Sequence, residues 1–203
     1  MLEELGIDYE IKKYQRDKLT KLAPASLRDV HPLGKSPVIT DGDLTIAESG
    51  AILDYLARKY GKGKFIPPES SPEFLRYTYW MHYAEGSLMP PLVMMLVFAM
   101  VEKAPFIIRP IAKGISAKVK SRFLNPTITT NLDFVEAELG KSTWFLGEEL
   151  SAADIQMSFA LEAAVGRGGL DASRPKAYGF VERVHERAAY KRAIEKGGPY
   201  QLL

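Results

Sequence analysis

Glu48 and Ser49 stand immediately before a segment with helical periodicity, in the first third of a 203-residue chain. A helix begins with backbone N–H groups that lack intrahelical partners and with partial positive charge, so this end can bind a carboxylate. The Glu48 carboxylate beside it could accept an ammonium group. Together these groups would recognise the amino-acid end of a small molecule; the alternative is that they only cap the helix.

A proline, Pro37, opens a short apolar segment that lies shortly before this pair and is typical of a strand. Because proline lacks the N–H that a strand ladder uses, it indicates either a rigid turn or a cis peptide bond. A cis bond would turn the chain sharply and leave the backbone N–H and C=O of Val38 free at the edge of a cleft. An extended peptide ligand could pair with that edge as an added strand, and Lys35 could hold a second carboxylate.

A small α/β unit is predicted to position these residues. Its predicted elements are a helix end at 2–6, strands at 9–14, 36–40 and 44–46, a short helix at 24–30 and a longer helix at 48–60. The Asp-Gly-Asp sequence at 41–43 is typical of the hairpin turn between the second and third strands. The longer helix has apolar residues on one face, as expected if that face packs against a core.

A linker rich in Gly and Pro, at 61–72, separates this unit from a segment that shows helical periods and almost no strand pattern. Helices are predicted near 73–101, 105–120, 123–139, 151–166 and 174–194. The chain is therefore predicted to have two domains, an α/β domain at 1–64 and an all-helical domain at 72–203.

The composition excludes several kinds of chemistry. The chain has no cysteine, which excludes a disulfide framework, a cysteine–zinc site and a thiol nucleophile within it, and fits a reducing compartment. Its three histidines are far apart in sequence, so no metal site is predicted. The net charge of +2 is too small to indicate nucleic-acid binding, and we interpret the five basic residues between 109 and 122 as a solvated helix face.

The sequence predicts neither a signal peptide nor a membrane-spanning helix. The chain is acidic within its first four residues, unlike a signal peptide. Its longest apolar run, at 92–101, has ten residues, whereas a membrane-spanning helix needs about 20. We therefore expect a cytoplasmic protein without a transmembrane segment.

Two stretches carry a resemblance to a known family: HPLGKSPVITDGDLTIAESGAILDYLARKYG at 31–61 and FLGEELSAADIQM at 145–157. With them the chain resembles the glutathione S-transferase superfamily, in particular its cytosolic microbial and fungal members, and the likeness covers the remaining chain in outline. The resemblance implies a thioredoxin-like N-terminal domain, a helical bundle after it, and a role in detoxification.

The resemblance also implies that glutathione is the co-substrate and that the residues described first bind it. The backbone of Val38, next to Pro37, would pair with the cysteinyl unit. Glu48 and Ser49 would hold the γ-glutamyl end, and Lys35 would hold the glycyl carboxylate. These roles agree with the charges of glutathione, which has two carboxylates and one ammonium group.

The helical domain would supply the pocket for a small, apolar electrophile. Residues 79–100 contain five methionines and four aromatic residues, which are typical either of a core or of an adaptable pocket. The pocket candidates are Trp80, His82 and Tyr83. The same helix would also lie at the interface of a homodimer. In the second stretch, Ser151 and Asp154 are predicted to form a capping box, which is structural and not catalytic.

The catalytic residue is assigned to no position. In the family, a hydroxyl or thiol that stabilises the glutathione thiolate follows the first strand of the thioredoxin-like domain. Residues 2–6 of this chain match the last turn of the helix that bears it, so we expect the N-terminal domain to be truncated. Without the first strand, the strand at 9–14 would lose its neighbour and the strand of Val38 would expose an edge.

The predicted activity is the conjugation of the glutathione thiolate to small electrophilic, apolar substrates, together with the reduction of hydroperoxides. The alternative is a non-catalytic binding or assembly module on the same fold.

Overall fold

The computed structural model of the chain describes residues 1–17 and 22–198. In chain order its elements are α1 (Leu2–Leu5), α2 (Ala25–Val30), β1 (Val38–Asp41), β2 (Leu44–Ala47), α3 (Ser49–Tyr60), α4 (Pro72–Tyr83), α5 (Met89–Val101), α6 (Arg109–Val119), α7 (Asn125–Leu139), α8 (Ala152–Arg167), α9 (Pro175–Glu186) and α10 (Ala188–Gly197). The order confirms the predicted fold class, a small α/β unit followed by an all-helical unit.

The sheet of the described residues is the antiparallel hairpin of β1 and β2, in which Val38 pairs with Ala47 and Asp41 with Leu44. Gly42 adopts a φ of 59° in the turn, a conformation that glycine reaches without steric penalty. The Asp41 carboxylate accepts hydrogen bonds from the hydroxyl groups of Tyr55 and Tyr60 on α3. The turn end of the hairpin is therefore tied to the helix that follows it.

The strand predicted at 9–14 is wrong, because residues 7–17 form no regular element. A groove of about 640 Å³ lies between this segment and β1, lined by Tyr9 and Ile11 from the segment and by Val38 and Thr40 from β1. A strand needs backbone partners at ladder distance. The groove lies between the segment and β1, and the segment forms no ladder with β1.

Two pairs of helices are continuous through π-helical turns, at Ala84–Leu88 between α4 and α5 and at Lys120–Leu124 between α6 and α7. Pro90 and Pro91 follow the first turn, and Pro126 follows the second. Because proline has no N–H for the carbonyl four residues earlier, the hydrogen-bond register widens there. The helices predicted separately near 105–120 and 123–139 are thus one helix from 109 to 139.

The helix predicted at 174–194 is instead two helices. Arg187 has extended backbone angles, with φ −62° and ψ 134°, and it separates α9 from α10. Its guanidinium pairs with the Glu4 carboxylate on α1. The break therefore lies where the last helix turns toward the N-terminal residues.

The core lies in the helical unit and is centred on aromatic rings that contact one another in tilted and edge-to-face arrangements. The ring centroids of Trp80 and Phe145 are 4.3 Å apart, and those of Phe145 and Phe180 are 5.2 Å apart. Around these rings, α4, α7, α8 and α9 contribute buried apolar side chains. Burial of large aromatic surfaces supplies much of the stabilisation of such a bundle.

The predicted capping box at the start of α8 is present. The Asp154 side chain, which is fully buried, accepts hydrogen bonds from the backbone N–H and the hydroxyl of Ser151, at 2.7 and 2.6 Å, and from the backbone N–H of Phe145, at 2.8 Å. The box therefore also holds the loop before α8 against the helix.

By length and composition, one helix of the described residues could cross a membrane, the continuous helix from Pro72 to Val101. Core helices of globular proteins meet the same criterion. Six large side chains of this helix are buried in the core, namely Tyr77, Trp80, Tyr83, Leu88, Met89 and Leu92.

Candidate functional site

The candidate site begins where β2 ends and α3 starts. Glu48 links them with φ 73° and ψ 121°, and its carbonyl accepts the hydrogen bond of the Ile52 N–H, which closes the first turn of α3. A positive φ is uncommon outside glycine and costs of the order of 1–3 kcal/mol, and such residues are found where a side chain must be held for a ligand. The Glu48 side chain is exposed and makes no capping hydrogen bond.

The first backbone N–H groups of α3, from Ser49 onward, have no intrahelical partner, as at the start of any helix. Since no side chain caps this end, the groups can donate to a ligand carboxylate. The exposed Glu48 carboxylate stands beside them and can accept from an ammonium group. The binding role of Glu48 and Ser49 stays a prediction.

The hairpin brings the two predicted motifs to one place. Val38 pairs with Ala47, and Glu48 is the next residue after Ala47. The Ser36–Pro37 peptide bond that precedes Val38 is cis, which is one of the two alternatives that the sequence leaves open. Pro37 and Val38 therefore lie at the same end of the hairpin as Glu48.

Ser49 has a partner that sequence reasoning missed. Its Oγ accepts a 3.0 Å hydrogen bond from the Nε2 amide of Gln156, a buried residue of α8. Gln156 belongs to the second resemblance stretch, but its distance of 107 residues from Ser49 gave no sign that the two meet. The helical unit thus contributes directly to the start of α3.

The second face of the site comes from α4. A Cβ built on Gly50 would lie 3.8 Å from the Cε of Met81, so this methionine borders the first turn of α3. Met81 is therefore a residue beside the candidate site that the sequence analysis did not select.

Lys35 follows Gly34, which is buried and has a φ of 55°. A Cβ at Gly34 would lie 2.8 Å from the Cγ of Arg28, so the backbone packs tightly there. This packing fixes the backbone just before Lys35, whose own side chain is exposed. Its ammonium group forms no ion pair within residues 1–17 and 22–198 and can take up an anionic group.

The structure brings two of the three pocket candidates together in the core, with the ring centroids of Trp80 and Tyr83 5.1 Å apart, and leaves His82 apart from them. Trp80 is only 1% exposed and lies inside the aromatic core, and Tyr83 is 8% exposed, with its hydroxyl donating to the Oδ1 of Asn131. His82 lies on the exposed side of the same helix. Their role in binding the second substrate stays a prediction, and Met81, between Trp80 and His82, is the side chain of this turn that borders α3.

No group of three or more His, Cys, Asp or Glu side chains in the described ranges 1–17 and 22–198 could hold a metal ion.

Comparisons with known protein families cover both units of the chain. A model of the glutathione S-transferase N-terminal domain matches residues 1–58, and a model of the glutathione S-transferase C-terminal domain matches residues 88–188. The chain is 37% identical over 201 residues to glutathione S-transferase 3 of Schizosaccharomyces pombe, a match that covers 97% of this chain and 81% of that protein.

Solved structures give the same result for the fold. A glutathione S-transferase from Actinobacillus pleuropneumoniae matches 99% of this chain and 87% of its own with a TM-score of 0.79 and 32% identity. A sphingomonad glutathione S-transferase complexed with glutathione matches 98% of this chain and 92% of its own, with a TM-score of 0.72 and 22% identity.

Proposed function

The chain belongs to the glutathione S-transferase family, and we propose that it transfers the thiolate of glutathione to small, apolar electrophiles. In this reaction the sulfur forms a C–S bond with the electrophile, and the displaced leaving group departs. The same thiolate would reduce hydroperoxides, with two glutathione molecules oxidised to the disulfide while the hydroperoxide is reduced to an alcohol and water.

The observation that carries the proposal is the hairpin register. Since Val38 pairs with Ala47, the extended backbone after Pro37 and the uncapped start of α3 stand side by side. Glutathione is a tripeptide with an extended backbone and a charged amino-acid end, so it needs both features at once. The Val38 backbone would pair with its cysteinyl unit.

The γ-glutamyl end would bind at the start of α3. Its carboxylate would accept hydrogen bonds from the free N–H groups there and from the Ser49 hydroxyl, while its ammonium group would pair with the Glu48 carboxylate. Gln156 would act as a positioning residue, because its amide orients the Ser49 Oγ. Lys35 would bind the glycyl carboxylate at the other end of the tripeptide.

The second substrate would lie on the side of α4. Met81 is an unbranched, polarisable side chain that adapts to differently shaped apolar ligands, and it borders the first turn of α3. We assign the group that stabilises the glutathione thiolate to none of the residues described here.

We further propose that the protein is a cytoplasmic homodimer without a transmembrane segment. The absence of cysteine is consistent with a reducing compartment. Leu75, Tyr79 and Val93 are exposed apolar residues of the continuous α4–α5 helix and support a subunit interface there. Sedimentation equilibrium, which measures molar mass in solution, tests the dimer.

The function is tested by two measurements on the purified protein. Calorimetric titration with glutathione tests the binding site, and the formation of the glutathione conjugate of 1-chloro-2,4-dinitrobenzene tests the transfer. Binding with turnover is expected. Glutathione binding without turnover of this electrophile or of cumene hydroperoxide would favour a binding module, and the absence of binding would refute the site.

A further inference from the structure

A group of apolar side chains protrudes into solvent where α5 gives way to α6. We call it the tip surface and define it by Phe106, Ile107, Ile108, Ile111 and Ile115. Phe106 is 83% exposed and Ile107 is 88% exposed, and the other three are each more than half exposed. Soluble monomers rarely leave large, contiguous apolar patches of this kind uncovered, and such patches usually mark an interaction site.

The isoleucines of the tip surface face outward because α6 packs through an adjacent face of the helix. Ala112 and Ser116 are the buried residues of α6, and the Ser116 hydroxyl donates a 2.6 Å hydrogen bond to the Glu102 carboxylate at the end of α5. At 100° per residue, Ile108, Ile111 and Ile115 fall within an arc of about 60° beside this seam. The isoleucines thus form a stripe that the fold itself leaves exposed.

The charged residues in the sequence around the tip surface are all basic. Residues 103–132 contain no Asp or Glu. The exposed basic residues of this stretch are Lys103, Arg109, Lys113, Lys118 and Arg122. The acid that precedes this stretch in sequence, Glu102, is paired with the ammonium group of Lys120 at 2.7 Å. The surroundings of the apolar stripe therefore carry a local excess of positive charge.

A basic residue borders the stripe. On the helical projection, Lys118 falls about 20° from Ile111, just outside the arc of the isoleucines. Arg122 follows in the π-helical turn Lys120–Leu124, and its side chain is exposed. Long basic side chains can lie along an apolar surface while their charged groups reach water or headgroups. This helix has isoleucines on one face, basic residues at the margins of that face and no acidic residue. Such a composition is typical of a helix that lies in a membrane interface.

We propose that the tip surface docks on a bilayer surface that contains anionic phospholipids. Phe106 and Ile107 would enter the boundary between headgroups and acyl chains, α6 would lie in the plane of the membrane, and its basic residues would contact phosphate and carboxylate groups of the lipids. The protein would bind the membrane peripherally, with its glutathione site on the hairpin and α3, outside the docking surface.

The charges favour a lipid surface over the other occupants. A second copy docked through the same surface would bring two positively charged rims together, and this repulsion opposes self-association there. A nucleic acid would find matching charges, but isoleucine side chains offer its bases neither hydrogen bonds nor stacking surfaces. An anionic bilayer satisfies the apolar stripe and the basic rim together.

The proposal is tested by co-sedimentation of the full chain with vesicles of phosphatidylcholine alone or mixed with phosphatidylserine. Binding to the mixed vesicles is expected to exceed binding to the neutral ones and to fall as salt is raised. The tip variant Ile107→Ser/Ile111→Ser should bind at least about tenfold more weakly, since two apolar side chains no longer enter the membrane. The charge variant Lys118→Gln/Arg122→Gln should lose about 30-fold on the mixed vesicles only.

The matched control is Leu44→Ser/Val165→Ser, which also replaces two exposed apolar residues but lies on the hairpin and on α8. It should keep the binding of the unmodified protein, and circular dichroism should show all variants folded. The proposal is overturned if the unmodified protein binds neither vesicle, or if the tip and control variants bind equally. It is also overturned if the tip variant lowers the molar mass in light scattering, because the surface would then join two copies.

Discussion

The Nε2 amide of Gln156 on α8 donates a 3.0 Å hydrogen bond to the Oγ of Ser49, the first residue of α3. The two residues belong to different units of the fold, and Gln156 is buried. A serine hydroxyl at a helix start can adopt several orientations. The hydrogen bond from Gln156 selects one of them, which fixes the direction of the Ser49 O–H group. The helical unit therefore sets the geometry of the proposed γ-glutamyl site.

We expect Gln156→Met to weaken glutathione binding about fivefold, because the Ser49 hydroxyl loses the donor that orients it. Calorimetric titration measures this change. Ser158→Ala is the control, since the Ser158 hydroxyl donates to the Ile155 carbonyl of its own helix. If both variants bind glutathione like the unmodified protein, Gln156 has only a packing role.

Glu48→Gln should weaken glutathione binding by about 10-fold or more, because the ammonium group loses a charged partner. Ser49→Ala should have a smaller effect in the same direction, since it removes one neutral hydrogen bond. Asp43→Asn serves as the control, as Asp43 is an exposed acid at the opposite end of the same hairpin. Equal affinity of Glu48→Gln and Asp43→Asn would refute the assignment.

Glu48 has a strained backbone and a carboxylate proposed to bind glutathione, and two substitutions can separate these effects. Its φ of 73° is strained for any residue with a Cβ. The free energy of unfolding of Glu48→Gly should therefore be about 1 kcal/mol higher than that of Glu48→Ala. Both variants should lose glutathione affinity, because both lose the carboxylate. Urea denaturation gives the stability, and a Glu48→Gly protein no more stable than Glu48→Ala would show that the backbone carries no strain.

Asp154→Ala should lower the free energy of unfolding by about 2–4 kcal/mol, because three buried donors lose their acceptor. Activity per folded molecule should stay the same, as the capping box is structural. Glu149→Gln, an exposed acid just before the same helix, is the control. A stable Asp154→Ala protein that is inactive would instead place Asp154 in the site.

The ion pairs of Glu3 predict a dependence of stability on pH. Hydrogen bonds from Lys196 and Arg192 lower the pKa of this buried carboxyl from 4.5 to about 2. Its stabilising effect is therefore fully present above pH 4.5 and is lost as the pH falls toward 2.

The comparison of Glu3→Gln with the unmodified protein tests this dependence. The variant should be less stable at pH 7, and the difference between the two urea midpoints should shrink as the pH is lowered from 5 to 3.5. Glu10→Gln, an exposed acid of the neighbouring segment, should show no such trend. A difference that does not change with pH would mean that Glu3 acts through packing and not through its charge.

Several parts of the fold could be predicted because they depend on neighbours in sequence. The αL residue Gly6, the hairpin around Gly42, the start of α3 and the capping box of α8 are all decided within a few residues. The strand at 9–14 was predicted wrongly because alternation describes only which side chains can face a core. Whether a backbone partner is within reach is a property of the rest of the sheet.

The sequence by itself determined the chemistry of the site: an acid and a hydroxyl at a helix start, a proline before an extended segment, and a lysine in front of it. These are local properties, because caps, turns and helix ends involve only a few consecutive peptide units. Only the tertiary structure decided that Gln156 orients Ser49, that Met81 and not Trp80 borders the site, and that the isoleucines of α6 are left exposed. Those outcomes depend on which helix faces pack together, and residues 107 positions apart meet only when the whole core is assembled.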